Sequence, residues 1–155
     1  MRTDLSKESK VWIYQSDREF KESDIEIIKE RLSDFCAGWT AHDIALKADF
    51  DLLFNRYILL AVDETATNAS GCSIDKSVKK MKELSEELQI NFFDRMTMVY
   101  MEQGQLYDIH LSEVKAAINR GDIKEDTLFF NPLIKTLGEL AEGFLIPYKQ
   151  HWLSR

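Results

Sequence analysis

Hydrophobic positions change their period several times along this chain, and each change predicts a new element. Val11-Trp12-Ile13-Tyr14-Gln15 is a short β-branched and aromatic run of the kind that forms a buried strand. Beyond it Ile25, Ile28, Leu32, Phe35, Cys36 and Trp39 recur at helical spacing, with a capping box at Ser23-Asp24-Ile25-Glu26 and a stop at Gly38. The period then drops to two. Ala48, Phe50, Leu52 and Phe54 alternate with Lys47, Asp49, Asp51 and Asn55, as on a strand with one wet face. Tyr57 to Val62 is apolar on both faces, which predicts a more central strand paired back against the first through a tight turn near Asn55-Arg56. Helical spacing returns near Ser73, burying Ile74, Val78, Met81, Leu84 or Ser85, and Leu88, and leaving Lys76, Lys79, Lys80 and Lys82 in water.

Met96 to Met101 predicts a further strand, which Glu102-Gln103-Gly104 turns into Gln105 to Ile109 as a hairpin. The order β-α-β-β-α-β plus one strand predicts an α+β fold: a ferredoxin-like antiparallel sheet extended by the hairpin strand, with both helices on one face. Residues 111–155 read as a small C-terminal helical annex. It holds a helix from Ser112 to a stop at Gly121, a short strand at Thr127 to Phe130, the Asn131-Pro132 turn and a second capping box at Thr136-Leu137-Gly138-Glu139. Phe144 to Trp152 is too aromatic for a loose tail and is expected to pack on the body. With no repeat, linker or low-complexity stretch, 1–155 reads as a single domain: a flexible tail over 1–10, the βαββαβ core with its added strand over 11–110, and the annex.

Composition narrows the partners. The 155 residues are 45% hydrophobic and 11% aromatic, enough for one sizeable core. Asp and Glu number 27 against 20 Lys and Arg, and the net charge of −7 opposes binding to phosphate backbones or anionic lipid. Nucleic acid and membrane surfaces are therefore not expected partners. Met1 to Lys10 lacks an apolar signal region and Tyr57 to Val62, the longest apolar run, is too short to span a bilayer. Two cysteines, Cys36 and Cys72, make no disulfide framework and fit a reducing compartment, so a cytoplasmic location is expected. The sequon at Asn68-Ala69-Ser70 carries no weight there.

The chemistry concentrates in Ser70-Gly71-Cys72-Ser73-Ile74-Asp75-Lys76-Ser77, a small-residue turn between an apolar strand and a helix. Such a turn offers free backbone N–H groups and the positive end of a helix dipole, and its small side chains let a ligand approach the backbone. The predicted topology brings the Gly38 to Asp43 and Glu64 to Ser73 loops to one end of the sheet and leaves Arg18 at the other. Thr40, His42, Asp43, Asp63, Asn68, Ser70, Gly71, Cys72, Ser73 and Asp75 thus form a candidate binding site, with the Glu102 to Gly104 hairpin nearby. Cys72 and His42 are the candidate catalytic pair, since an adjacent imidazole is one way to activate a thiol. Against that, Asp75 raises a neighbouring thiol pKa, and a Cys72 ahead of the helix cap lies outside the strongest part of the dipole. The simpler reading is a small cysteine packed under a turn, and Cys36, on the apolar stripe of the first helix, is core.

Other motifs fail on inspection. A phosphate loop needs Gly-x-x-x-x-Gly-Lys-Ser/Thr, and Ser70 and Asp75 stand where the two glycines belong. Ala61-Val62-Asp63-Glu64 has only the superficial character of a Walker B strand and reads more simply as a strand running out into solvent. His42, His110 and His151 show no metal-ligand spacing, so no metal and no cofactor are expected. Asp49 and Asp51 share a strand face and read as protection of an edge strand against aggregation. Trp12, Trp39, Trp152, Phe92, Phe93, Phe129 and Phe130 read mainly as core.

Trp12-Ile13-Tyr14-Gln15-Ser16, Trp39-Thr40-Ala41-His42, Phe54-Asn55-Arg56-Tyr57, Leu60-Ala61-Val62-Asp63 and Ser70-Gly71-Cys72-Ser73-Ile74-Asp75 together resemble a family of small uncharacterised bacterial proteins typical of Bacteroidetes. The resemblance covers nearly the whole chain. Members often carry the label "ABC transporter ATPase", and the resemblance extends that label here, yet the chain has no Walker A and no ABC signature and is shorter than an ABC nucleotide domain. The resemblance implies membership and transfers no catalytic residue. Two functions follow from the residues: a small-molecule or anion-binding domain, enzymatic or not, at the Ser70 to Asp75 turn facing His42; or a non-catalytic module that binds a protein or forms a homodimer through a sheet face, an edge strand or the C-terminal aromatic segment.

Overall fold

In a computed structural model, which describes residues 1–154, the first strand runs from Lys10 to Gln15 (β1) and the first helix from Glu22 to Gly38 (α1). A two-residue hairpin pair follows, Thr40–Ala41 (β2) and Ile44–Ala45 (β3), then Lys47–Leu53 (β4), Tyr57–Asp63 (β5) and the helix Gly71–Leu88 (α2). Later elements are Thr97–Glu102 (β6), Gln105–His110 (β7), Val114–Arg120 (α3), Leu128–Phe130 (β8), Leu137–Glu142 (α4) and Leu145–Pro147 (β9). Single 3-10 turns occupy Leu111–Glu113, Tyr148–Gln150 and Trp152–Ser154. The α+β class holds, and among the described residues no helix is long and apolar enough to cross a membrane. The chain divides into two compact units, Met1–Phe93 with Lys135–Gly138, and Asp94–Ile134 with the residues from Glu139 onward.

In the first unit β5 lies between β1 and β4, antiparallel to both. This β1-β5-β4 order is what a split βαβ arrangement requires of its first three strands. The single extended ferredoxin-like sheet does not continue from it. The strand expected to complete it, β6, belongs to a separate four-stranded sheet of order β7-β6-β8-β9. The free edge of β1 is instead met by a later segment: Val11 N–H donates to Lys135 O at 3.0 Å, and Lys10 bridges Thr136.

The two-faced apolarity of β5 translates directly into burial, whereas the alternation over β4 does so only at Ala48: the rest of that strand is half-buried, and Phe54 is exposed in the turn. Every residue of β5 is buried, and Ile58 and Leu60 pack with Ile28, Leu32, Cys36, Met81, Leu84 and Leu88 of the two helices. Phe54 and Asn55 take left-handed φ of 55° and 51°, the mirror-image turn that suits the strand twist, and Arg56 N–H closes it on Leu53 O at 3.0 Å.

The α1 start differs from the expected capping box. Lys21 is the cap, and its N–H donates to Asp24 Oδ2 at 2.8 Å. Asp24 is drawn there because it also holds Arg18 (2.6 Å), whose guanidinium reaches on to the Leu88 carbonyl at the end of α2 (3.0 Å). One buried carboxylate thereby ties the first turn of α1 to the last of α2, and the Arg18 contact holds its pKa below the usual carboxylate value.

Residues 1–9, read as a flexible tail, make defined contacts. Arg2 N–H donates to Asp49 Oδ2 at 2.5 Å, Lys47 Nζ to Asp4 O at 2.7 Å, and Ser6 N–H to Asp63 Oδ2 at 2.9 Å.

In the second unit the β6–β7 hairpin forms as expected, and β8 and β9 extend its sheet, so residues 111–154 are less helical than the sequence suggests. The short β9 carries Pro147, which an outermost strand tolerates. The expected helix from Ser112 begins as a 3-10 turn and ends at Gly121, in left-handed conformation (φ 80°). Met98, Val114, Ala117, Ile123, Phe129 and Tyr148 form its core.

Candidate functional site

The start of α2 lies two residues nearer the strand than the sequence suggests, which changes the role of the residues in its first turn. Ser70 is the N-cap, so Gly71 and Cys72 are the first two helical residues and Ser73 the third. The two serines close on each other. Ser73 N–H donates to Ser70 Oγ (3.1 Å), Ser70 N–H to Ser73 Oγ (2.6 Å), and Ser73 Oγ–H to Ser70 O (2.8 Å). Ser73 thus plays the part that Glu or Gln fills in the common capping box. The amides of Gly71 and Cys72 donate to no protein acceptor among the described residues, as expected of the first N–H groups of a helix. Around Gly71 the space is open: a Cβ there would meet nothing within 4 Å.

What fixes this turn in place is Trp39. Gly38 ends α1, the Trp39 ring enters a cluster with Ala41, Leu46, Ala48 and Val62, and its indole N–H donates to Ser73 O at 2.8 Å. Sequence reasoning placed Trp39 in the core and missed this donor. The only sequence signal was a Trp, rather than a purely apolar ring, at the exit of a helix.

From Trp39 the chain enters β2, which lies beside α2, and turns back through His42 and Asp43. Both have left-handed φ, 51° and 63°, giving the two-residue mirror-image turn between Ala41 and Ile44 without a glycine. Thr40 is half-buried at the base of the hairpin, and His42 and Asp43 are exposed at its tip. The expected meeting of the 38–43 and 64–73 loops is therefore present, and Arg18 lies at the opposite end of α2, on Leu88. The Glu102 to Gly104 turn, by contrast, belongs to the second unit.

The remaining candidates divide by burial. Ser73 is buried, Ser70 is half-buried, and Asn68, Gly71, Cys72 and Asp75 are exposed. Cys72 is therefore not packed under the turn; it stands on the outer face of the first helical turn as a free thiol. No hydrogen bond joins it to His42 among the described residues. Cys36 is core as expected, and burial pushes its thiol up to about 12, which leaves it protonated and inert at neutral pH.

Asp63 is engaged within the fold. Its carboxylate accepts from Ser6 N–H and Thr65 N–H (2.9 and 3.0 Å) with Lys47 Nζ 3.6 Å away, and these contacts lower its pKa to about 2. Glu64 closes the loop before the site by accepting from Ala69 N–H at 2.8 Å and pairing with Lys10 at 2.9 Å. No group of three or more His, Cys, Asp or Glu gathers as a metal site among the described residues.

The arrangement offers two free amide donors at the start of an 18-residue helix, a thiol beside them and an imidazole and a carboxylate on the adjoining hairpin. No family model, no curated protein and no solved structure matches this chain.

Proposed function

We propose that the chain is a binding protein for a small anion, held by the Gly71 and Cys72 amides at the start of α2. The observation that carries this reading is the Trp39–Ser73 hydrogen bond, which pins the turn and keeps both donors aimed outward beside the Thr40 to Asp43 hairpin. Pre-set donors at a helix start favour a carboxylate-sized or phosphate-sized group through the amides and the helix dipole together. Asp43 and Asp75, both exposed nearby in the chain, add negative charge and favour a compact anion over a polyphosphate. Nucleotide hydrolysis is not part of the reading. Ser70 turns its hydroxyl back to cap the helix, and Asp75 occupies the second glycine position of a phosphate loop. The β1-β5-β4 order of the first unit supports reading it as a ferredoxin-like core. Membership of the Bacteroidetes family rests on the segments quoted above and adds no mechanism.

The alternative, self-association through an edge strand, is disfavoured at β4, where the Phe50 and Leu52 amides already donate to Asp49 and Asp51 at 2.8 Å each.

Titration with inorganic phosphate, followed through backbone amide resonances, tests the proposal. The Gly71 and Cys72 signals are expected to shift saturably. Gly71→Pro removes one donor at a position where proline fits a helix, after a residue already extended (Ser70 φ −99°, ψ 167°), and is expected to weaken binding with the fold intact. Unmoved Gly71 and Cys72 signals at saturating phosphate would overturn the assignment.

A further inference from the structure

We propose that residues 148–154 of the second unit form an acid-released latch, closed while the His151 ring is neutral and opened when it takes a second proton. The argument starts from burial. His151 has 0% of its surface exposed, and its ring lies 5.7 Å from Phe129 on one side and 5.7 Å from Trp152 on the other. Both ring nitrogens are used by backbone. Nδ1 accepts from Leu153 N–H at 3.2 Å, so it carries no proton, and Nε2 lies 3.1 Å from Phe130 O, so it carries one. The neutral ring with its proton on Nε2 is therefore the form this pocket fits. The same segment is tied by His151 N–H to Tyr148 O (2.9 Å) and Ser154 N–H to His151 O (3.0 Å), so its turns depend on the ring staying in place.

A proton added at Nδ1 has two consequences. It sets two donors, Nδ1–H and Leu153 N–H, against each other, and it places a full charge where no water reaches. Among the described residues no carboxylate acts on the ring, and Glu125 and Asp126, on the segment whose Glu125 carbonyl accepts from Lys149 N–H, are exposed. On β8 the neighbours Leu128, Phe129 and Phe130 are uncharged, and so are Trp152, Leu153 and Ser154. In the preceding turn Tyr148 is titratable, but its hydroxyl is directed at Leu153 O (3.4 Å), and the cation of Lys149 is exposed. Two influences act on the ring: burial, which lowers its pKa, and the Phe130 carbonyl, which raises it less. Protonation is accordingly met by opening rather than by a carboxylate. Opening uncovers Phe129, which is fully buried beneath the rings of Tyr148 and His151.

The sign follows from linkage. The ring's pKa in the closed form lies below its ordinary 6.5, so the open form binds the proton first and gains on the closed form as pH falls below 6.5. The opening equilibrium is expected to rise as pH falls below that value, by at most about fivefold over the first pH unit.

Amide hydrogen exchange of the whole chain tests this. After correction for intrinsic chemistry, Leu153 and Ser154 are expected to exchange several-fold faster at pH 5.5 than at pH 7, up to about eightfold. His110→Gln, which removes an exposed histidine, is expected to keep this dependence, whereas His151→Gln, which keeps a side-chain donor for Phe130 O but does not titrate, is expected to abolish it. Equal protection at the two pH values, or acceleration that survives His151→Gln, overturns the proposal. Should His151→Gln fail to fold, the wild-type ring titration by NMR decides: a His151 ring that protonates while the Leu153 amide stays protected overturns it equally.

Discussion

Both units pack rings against one another, but the ties at the ends of their elements differ. In the first, elements are tied at their ends by directional bonds: Arg18 joins Asp24 to the Leu88 carbonyl, Trp39 joins the exit of α1 to Ser73, and Asp63 gathers Ser6 and Thr65. In the second, a run of rings passes from Tyr107 through Tyr100 and Phe129 to His151 and Trp152, with centroids 5.4 to 5.7 Å apart. Ring contacts tolerate small shifts in geometry, whereas a buried carbonyl that loses its donor does not. Their acid responses differ by one group: both units hold carboxylates with lowered pKa, Asp24 and Asp63 in the first and Asp94 in the second, and the second adds a buried histidine with lowered pKa.

The sharpest way to sharpen this contrast is truncation of one core side chain in each unit. Leu60→Ala in β5 is expected to cost about 2–5 kcal/mol and Phe129→Ala in β8 about 3–5 kcal/mol, measured by denaturant unfolding. The Phe129 change is expected to spread along the ring run and loosen residues 148–154, while the Leu60 change leaves the end ties of the first unit as the last protected amides. Equal loss of amide protection across both units in either variant breaks the comparison.

A smaller effect isolates a single tie. Trp39→Phe keeps the ring but removes the donor to the buried Ser73 carbonyl, and is expected to cost about 1–2 kcal/mol. It is also expected to blur the Gly71 and Cys72 amide signals as the turn loses its anchor. A stability change near zero, with those signals sharp, means the indole contributes packing alone.

The smallest effect is a difference of pH windows. Asp63 titrates at about 2 in the folded chain against an ordinary 3.8, so its stabilising contacts are complete above about pH 4 and lost as pH falls towards 2. Protection of the Ser6 amide is therefore expected to persist at pH 5.5, where Leu153 is already exchanging faster. Simultaneous loss at both amides on acidification means that one transition, not two, governs the chain.

Much of the first unit was legible in the residues because its elements are long and periodic. The stripe from Ile25 to Trp39 buries one face and the alternation from Lys47 to Asn55 marks a strand, half-buried along most of its length, and both appear nearly at their expected bounds. The same topology argument correctly brought the Thr40 to Asp43 loop to the Ser70 turn. What escaped was set by contacts rather than by period. Two-residue strands such as β2 and β3 carry no periodic signal, and Lys21 became the cap of α1 only because Arg18 holds Asp24. Periodicity reports which face of a strand is buried but not which strand lies beside it, so the assignment of β6 to a second sheet could not be read from Met96 to Met101. His151 sat inside an aromatic segment correctly expected to pack, yet nothing in its neighbours spelled out that both ring nitrogens would find backbone.

The carboxylates of Asp49 and Asp51 carry a consequence for the limits of the first sheet. Each accepts the N–H of the residue that follows it, standing in for the carbonyl that a further strand would supply. The sheet thus stops at β4 by chemistry written into the strand, not by running out of chain. A newly made copy at high concentration meets an edge whose donors at Phe50 and Leu52 are already engaged, and whose fixed charges repel an identical edge brought alongside. Solubility in this region is therefore a local property of two residues, separable from the stability of the unit they border.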